Sequence, residues 1–564
     1  SLDSPTLLPS GENVTRYLAE LLTEQFELTS RKEKTEVINA IIGTPFEYVW
    51  DQSPQNKQLE FVFINEYKNR QPNNIHYAIR DLVINGTIKH VITTNYDTCL
   101  DQVFQNIDFI KEVATENDSR NIESNQGIYF KIHGSAKSGL ESTIVYRLSH
   151  EGILPSWKQK VLRRCLSNAN LIVVGYSGLD FEICPEIKLA KPSQVIWNSF
   201  YNPKKYTETL KSNALRVLNS SDKNIVLWGD MKKLFSLLSG KKLPEVSRNK
   251  TIPNWRLDTL LSKTEIQLWA CSVISPPGYG LQAQKLANKI LSSIDETSPY
   301  WVTGIYLLGD AQFHQGKYVQ SANNCSKAAQ IYKQNKNLTG YIDAVSRQSD
   351  ALRCAGNFWD ALLVITEARA TLSAIKLSKE DKRKFVGSLD LKELLVYRDF
   401  YEITKWLNNY KLAKSYQTYA RRLISRITKA VEKEGQWHIF QQTKMWANRL
   451  EVDFNEIYKG TMQPLDDWFG FRHLGAIIPE MMATRDALWR GTTGRGTTIN
   501  EVKKLVRRAK QIGCNPEIWK LSLIFNEKIA ELNNKESLEW KKAFDECEYT
   551  DFLRKFKLSN PRHR

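Results

Sequence analysis

Small polar side chains follow a short apolar run in residues 89–97, KHVITTNYD. Val91 and Ile92 have the pattern of a buried strand, and the polar residues come directly after them. Ligands of open parallel sheets bind in the crevice outside the carboxyl ends of the strands, and Asn95 is expected to lie there. This stretch is therefore the first candidate for a functional site.

The same arrangement recurs along the first half of the chain. Further strands are predicted at residues 127–132, 171–174, 194–197 and 224–228. Each ends on a small or polar residue, and these ends carry His133, Ser177, Asn198 and Asp230. On one edge of a parallel sheet they would form a nucleotide site. The alternative is that strand ends are polar simply because loops are polar.

Helices are predicted between these strands, as in α/β folds. Apolar residues at helical spacing predict a helix over residues 74–85, just before the first strand. Shorter helices are predicted over residues 99–104 and 157–166, and residues that follow Phe104 are interpreted as a polar loop.

Composition limits the class of protein. A chain of 564 residues is too long to fold around a single hydrophobic core, so several domains are expected. No apolar run in the sequence is long enough to span a membrane. The eight cysteines form no CxxC or CxC pair, which argues against a disulfide framework and a cysteine zinc site and favours the cytoplasm. The chain begins at Ser1 rather than Met, so the absence of a signal peptide says little.

Positive charge is concentrated in the second half of the chain. Residues 1–250 hold 31 Lys and Arg against 28 Asp and Glu, so +14 of the total charge of +17 belongs to residues 251–564. A solvated helical exterior and an anionic partner such as nucleic acid are both compatible with this excess.

Five segments together resemble the sirtuin-like NAD-consuming domains, specifically the bacterial subgroup of anti-phage defence proteins. They are IHYAIRDLVINGTIKHVITTNYD, YFKIHGS, LIVVGYSGLD, VIWN and LWGD, in the order of that family. The resemblance covers about residues 1–245 and implies a Rossmann-like α/β domain with a parallel sheet flanked by helices. It also implies NAD as the substrate.

The resemblance assigns roles to matching positions only. Asn95 corresponds to the catalytic asparagine, His133 to the catalytic histidine and Asp97 to a carboxylate on the nicotinamide side. NAD contacts are implied for Ser1, Thr93, Tyr96, Gly175, Tyr176, Ser177, Asp180, Asn198 and Asp230.

Two departures from the family pattern bear on the chemistry. Of the Gly-Ala-Gly-x-Ser phosphate loop only Ser1 is present, which we interpret as a late start of the chain. The paired zinc cysteines of protein-deacylating sirtuins are also absent, so protein deacylation is disfavoured and no metal is expected.

The three catalytic candidates suit cleavage of the nicotinamide–ribose bond. Asn95 can position the ribose and a water by hydrogen bonds, His133 can take a proton near neutral pH, and Asp97 can stabilise positive charge on the sugar. Each residue also has a structural alternative. Asn95 could cap a helix, His133 could be a hydrogen-bonded structural histidine, and Asp97 could be the N-cap of the following helix.

The second half is predicted to be helical throughout. Residues 246–256 are interpreted as a linker, and residues 257–564 as an all-α regulatory or sensor domain. Imperfect tetratricopeptide-like units are predicted at residues 300–331, 352–368 and 397–424. GTTGRGTT at residues 491–498 is interpreted as an interhelical loop or, with nearby arginines, as a sensor of an anion.

Two functions follow as hypotheses. The first is a cytoplasmic, homo-oligomeric NAD+ hydrolase that acts in abortive infection. Its helical half would restrain it until a phage protein, a nucleic acid or an associated defence component binds to the basic surface. The second is a non-catalytic nucleotide-sensing scaffold whose basic half binds nucleic acid or a partner protein.

Overall fold

The computed structural model describes most of the first 459 residues. The described ranges are residues 11–44, 46–54, 56–68, 70–146, 154–176, 178, 182–199, 212–243, 255–276, 279–406, 408–434 and 437–459. Ser1, Ser177, Asp180 and residues 491–498 lie outside them, as does most of the predicted linker.

The chain forms two compact units, and each unit is built from two separate segments of the sequence. Residues 1–17 and 55–260 group in the first unit, and residues 18–54 and 261–564 group in the second. The domain boundaries inferred from sequence, at residues 245 and 257, stay a prediction about where independently folding parts begin and end.

The first unit alternates helices with short parallel strands. Its strands are β1 (His90–Thr93), β2 (Ile110–Val113), β3 (Gly127–Lys131), β4 (Asn170–Val173), β5 (Gln194–Ser199) and β6 (Ile225–Trp228). Helix α1 (Gly11–Thr23) begins in this unit and continues into the second unit after residue 17. The other helices of the first unit are α4 (Lys57–Tyr67), α5 (Asn74–Ile84), α6 (Cys99–Phe104), α7 (Glu116–Arg120), α8 (Ser156–Leu166), α9 (Ile183–Ala190), α10 (Ser212–Leu218), α11 (Met231–Ser239) and α12 (Leu257–Leu260).

The strands form two three-stranded sheets, in the orders β1-β3-β2 and β4-β5-β6. All four strand pairs are parallel. The predicted α/β class with parallel strands between helices is thus confirmed. One buried cluster contains side chains from both sheets, among them Phe130 of β3 and Trp197 of β5. The two sheets therefore share a hydrophobic core.

Two details of the sequence interpretation are wrong. Residues 110–113 form β2, although this segment was interpreted as part of a polar loop. Its neighbour β3 is buried at every position, so β2 is held by an apolar partner and by the parallel ladder rather than by its own composition. Asn198 lies within β5 rather than beyond its end.

The second unit is helical over the residues described. It contains α2 (Arg31–Ile42), α3 (Phe46–Asp51), α13 (Lys263–Ile274), α14 (Gly280–Ser293), α15 (Trp301–His314), α16 (Tyr318–Gln334), α17 (Leu338–Cys354), α18 (Phe358–Ser373), α19 (Lys379–Trp406), α20 (Tyr410–Glu434), α21 (Trp437–Arg449) and α22 (Phe454–Ile457). From α13 to α21 each helix packs against the next one. The predicted helical character is confirmed for the described part of the second half, which ends at residue 459, and the tetratricopeptide-like character of its units stays a prediction.

Small residues let these helices approach closely. A Cβ added at Gly309 of α15 would lie 2.7 Å from the sulfur of Cys325 in α16. Ion pairs then link alternate helices: Asp310 of α15 to Arg347 of α17 at 2.6 Å, and Asp350 of α17 to Lys392 of α19 at 2.5 Å. Because these carboxylates are buried, losing a partner would leave a charge without compensation.

The loop after β3 depends on a glycine. Gly134 has a φ of +88°, and a Cβ there would lie 2.1 Å from the carbonyl oxygen of Thr143. Val145 donates its N–H to the His133 carbonyl at 2.9 Å, which holds the two sides of the loop together. Any side chain at position 134 would therefore push these two segments apart.

We expect Gly134→Ala to lower the melting temperature of the protein by several degrees, because it combines backbone strain with a backbone clash, each costing about 1–3 kcal/mol. Gly139→Ala is the matched control, since Gly139 has a φ of +86° with nothing within 4 Å of the added Cβ. Both variants place alanine at a positive φ, so the difference between their melting temperatures measures the effect of the clash alone. Equal destabilisation by the two variants would contradict this account of the loop.

Candidate active site

The loops that carry Asn95 and His133 are neighbours because β1 and β3 are paired. Thr93 lies opposite Lys131 in the register, and the Ile132 N–H donates to the Thr93 carbonyl at 3.0 Å. Beyond the strands, the Ala136 N–H donates to the carbonyl of Tyr96 at 2.8 Å. The sequence prediction that these two strand ends share an edge of the sheet agrees with this geometry.

Asn95 lies at the exposed tip of its loop. Its backbone N–H donates to the Thr93 hydroxyl at 3.0 Å, which fixes the turn, and the residue is exposed to solvent. Tyr96 instead turns inward and packs edge-on against Tyr67, with ring centroids 5.2 Å apart. The loop thus has an anchored side and an exposed asparagine that a ligand can reach.

His133 is buried and lies next to a carboxylate that the sequence analysis did not select. Its Nε2 is 3.2 Å from Oε1 of Glu182, whose side chain is also buried. The carboxylate stabilises the imidazolium form, which is the state of a histidine after it has taken a proton. Glu182 directly precedes α9, so this contact places the start of α9 next to the residues that follow β3.

Lys158 completes the charged surroundings of His133. This buried side chain donates from Nζ to the Ile132 carbonyl at 2.6 Å. Burial lowers the pKa of the Lys158 ammonium, and the nearby Glu182 carboxylate opposes that shift. A cation from α8 therefore supports the backbone next to His133 and faces the same carboxylate.

Asp97 lies beneath the Asn95 loop rather than at its surface. One carboxylate oxygen accepts the Cys99 N–H at 3.0 Å at the start of α6, and the residue is buried. This contact is of the kind that the helix-capping alternative predicts. The role of Asp97 on the nicotinamide side stays a prediction.

A ring nitrogen of His76, a carboxylate oxygen of Asp97 and the Cys99 sulfur lie within 4.8 Å of one another. Such a group could hold a metal ion, but His76 Nδ1 already accepts the Asn73 N–H at 3.0 Å. The neutral ring then carries its proton on Nε2, where a metal would have to bind. These three residues are better suited to hydrogen bonding than to metal coordination.

The ends of β5 and β6 form a second group. The Asn198 amide donates to the carbonyls of Leu227 and Gly229, at 3.3 and 3.2 Å. Asp230 caps α11 by accepting the Lys232 N–H at 2.8 Å. Both polar groups are thus engaged in local contacts, and their assignment to the adenosine end of NAD is untested.

Two glycines after β4 provide close backbone approaches. Gly175 is exposed with a φ of +64°, and Gly178 is buried with a φ of +69°. A Cβ at Gly178 would lie 3.2 Å from the Trp197 ring, against which Tyr176 also packs with a centroid distance of 5.8 Å. The described part of this segment therefore lies close to β5.

A comparison with known protein families gives a match within the first unit. Residues 89–188 match the model of the SIR2-like domain family. That span contains Asn95, Asp97, His133 and Glu182, and it supports an NAD-related activity for this region. No curated protein matches the chain.

Several solved structures match the chain, and one of them aligns with more than half of it. It is the Rap conjugation gene regulator of the plasmid pLS20 in complex with the Phr* peptide, at 16% sequence identity and a TM-score of 0.33. The alignment covers 64% of this chain and 92% of that chain. A TM-score of this size supports no statement about shared fold or function. Among the described residues, no helix is both long and apolar enough to cross a membrane.

We expect the stability of the first unit to fall at acid pH because of His76. Burial lowers the pKa of this ring from 6.5 to about 4, while the nearby Asp97 carboxylate opposes the shift. Between these two pH values the unfolded chain binds the proton and the folded chain does not. The stabilisation is therefore complete above pH 6.5 and is lost as the pH falls, by up to about 1.4 kcal/mol per pH unit.

His76→Gln provides the comparison, because glutamine at this helix position can accept the same backbone N–H but does not titrate. Melting temperatures measured from pH 7 to pH 4 should fall less steeply for the variant than for the wild type. Parallel profiles would show that His76 is not the group responsible.

Proposed function

We propose that this protein is an NAD+ hydrolase that cleaves NAD+ to nicotinamide and ADP-ribose. The observation that carries the proposal is the position of buried His133 beside Glu182, on the same sheet edge as the exposed Asn95. The match of residues 89–188 to the SIR2-like domain family supports NAD as the substrate.

The chemistry requires little beyond positioning and one proton acceptor. As the bond between C1′ of the ribose and the nicotinamide nitrogen breaks, its electron pair neutralises the pyridinium ring. Water forms the new bond to C1′ and loses a proton, which His133 accepts while Glu182 stabilises the charge that results. Asn95 orients the ribose and the water through hydrogen bonds that add no charge to an already cationic transition state.

The helical unit fits a regulatory role in this proposal. A hydrolase that consumes NAD is toxic to its own cell, so its activity has to depend on a signal. We propose an abortive-infection effector in anti-phage defence, cytoplasmic and homo-oligomeric, that remains inactive until a trigger binds its helical unit.

The main alternative is a scaffold that binds nucleotides without cleaving them. Asp97, Asn198 and Asp230 favour it, because each makes a local contact of a structural kind. In that case Asn95 and His133 would contribute to binding only. The scaffold hypothesis would be supported if the protein bound NAD but did not cleave it under any condition that activates related defence systems.

We expect Asn95→Ala and His133→Ala each to reduce the rate of nicotinamide release by about 100-fold or more, because each removes positioning or general-base catalysis. Glu182→Gln should reduce it less, since the imidazole remains. Release is measured by chromatography on the full-length protein and in cells that express it.

Asn85→Ala is the matched control, because Asn85 is an exposed turn asparagine on the amino side of β1. It should retain wild-type turnover. If the Asn95 and His133 variants fold and still consume NAD at the wild-type rate, the site is assigned to the wrong residues.

A further inference from the structure

One helix of the second unit is strongly basic over most of its length. Over residues 410–430, α20 has six Lys or Arg residues and no Asp or Glu. Its buried face is apolar, with Ala413, Ala420, Ile424 and Ile427 among the core residues. The basic residues therefore lie on the sides that face the solvent.

Four of the six basic residues lie on one narrow stripe of α20. Lys411, Lys414, Arg422 and Lys429 are at positions i, i+3, i+11 and i+18, which fall within about 80° around a helix of 3.6 residues per turn. All four are exposed. The stripe is roughly 27 Å long at a rise of 1.5 Å per residue.

The charges of the stripe are not compensated within the part of the chain that the structure describes. The other two basic residues of the helix have partners: Arg421 pairs with Glu456 at 3.4 Å, and Arg426 pairs with Asp390. The four stripe residues form no ion pair with any described residue. Among the described residues, therefore, no acidic side chain competes with an anion in solution for these four charges.

A row of aromatic rings runs beside the stripe. Tyr419 of α20 stacks on Tyr397 of α19 with centroids 5.5 Å apart and planes 9° apart. Tyr397 contacts Tyr416, which stacks on Phe400 at 5.0 Å, and Phe400 contacts Trp359 of α18 at 5.2 Å.

The two ends of this row are open to solvent. Trp359 is 71% exposed and Tyr419 is 51% exposed, although each ring packs against another ring. The guanidinium of Arg422, a stripe residue, lies 5.9 Å from the Tyr419 ring. The rings and the charged stripe therefore belong to one continuous surface, which we call the α20 surface.

We propose that the α20 surface binds single-stranded nucleic acid. A line of uncompensated cations follows a phosphate backbone, and exposed rings that are held from behind provide stacking platforms for unpaired bases. The outward stripe carries Lys, Arg, Ser and Thr rather than large apolar side chains, so it lacks the apolar face with which a helix enters a membrane. In a duplex the base faces are already stacked on neighbouring base pairs and are not available to Trp359 and Tyr419, which favours a single strand over a duplex.

The test uses the full-length protein and a fluorescent oligothymidylate, with binding followed by anisotropy as the salt concentration is raised. Four neutralised phosphates predict a slope of log affinity against log salt of about −3. Lys411→Ala/Lys414→Ala should reduce the slope by about 1.4, and Lys285→Ala/Lys376→Ala, which removes two exposed lysines elsewhere, should leave it unchanged.

Trp359→Ala and Tyr419→Ala should weaken binding on the order of 10-fold at every salt concentration without changing the slope, because they remove stacking and no charge. Both residues are exposed, and circular dichroism establishes that the helices persist. The proposal fails if the lysine variants bind as the wild type does or if duplex binds as tightly as the single strand. It also fails if vesicles rich in phosphatidylserine retain the protein while oligothymidylate does not.

The proposal is independent of NAD cleavage. Binding of oligothymidylate is measured without NAD, and catalysis by Asn95 and His133 is measured without nucleic acid. Either result can be negative while the other is positive.

Discussion

The buried ammonium group of Lys131 is the constraint on which the geometry of the site depends. Lys131 is fully buried in β3, and its Nζ donates to the Asp101 carboxylate at 2.7 Å and to the Asp97 carbonyl at 2.8 Å. Removing a charge from water costs several kcal/mol unless partners of opposite sign replace the solvent. The loop after β1 is therefore held against β3, and Asn95 and His133 share one edge as a result.

Further charges extend this network below the site. Tyr129 donates its hydroxyl to Asp101 at 3.2 Å, and Glu112 of β2 pairs with Lys137 at 2.9 Å. Burial raises the pKa of Glu112, and the bond from Lys137 opposes this shift. These contacts involve β2, β3, α6 and the loops after β1 and β3, so a change in one partner would alter the positions of the others.

Strands β1 and β3 of the first sheet could be predicted from sequence, because each is a short apolar run followed directly by small or polar residues. The α6 helix over residues 99–104 was predicted with the bounds that the structure has. In β2 the order Ile-Lys-Glu-Val offers only two apolar residues, and its burial against β3 is a tertiary effect that local composition does not encode. Glu182 was missed for a similar reason: its contact with His133 exists only in the folded chain, and spacing along the sequence does not reveal it.

The order of the chain through the two units has a practical consequence for protein engineering. The backbone passes between units near residues 17, 54 and 260, so the first unit is assembled from two separate stretches. Val49 and Trp50 bury their side chains in the second unit, where the Trp269 indole donates to the Val49 carbonyl at 2.8 Å. A fragment cut near residue 250 would keep α3 but lose its packing partners, and would expose an apolar surface that favours aggregation.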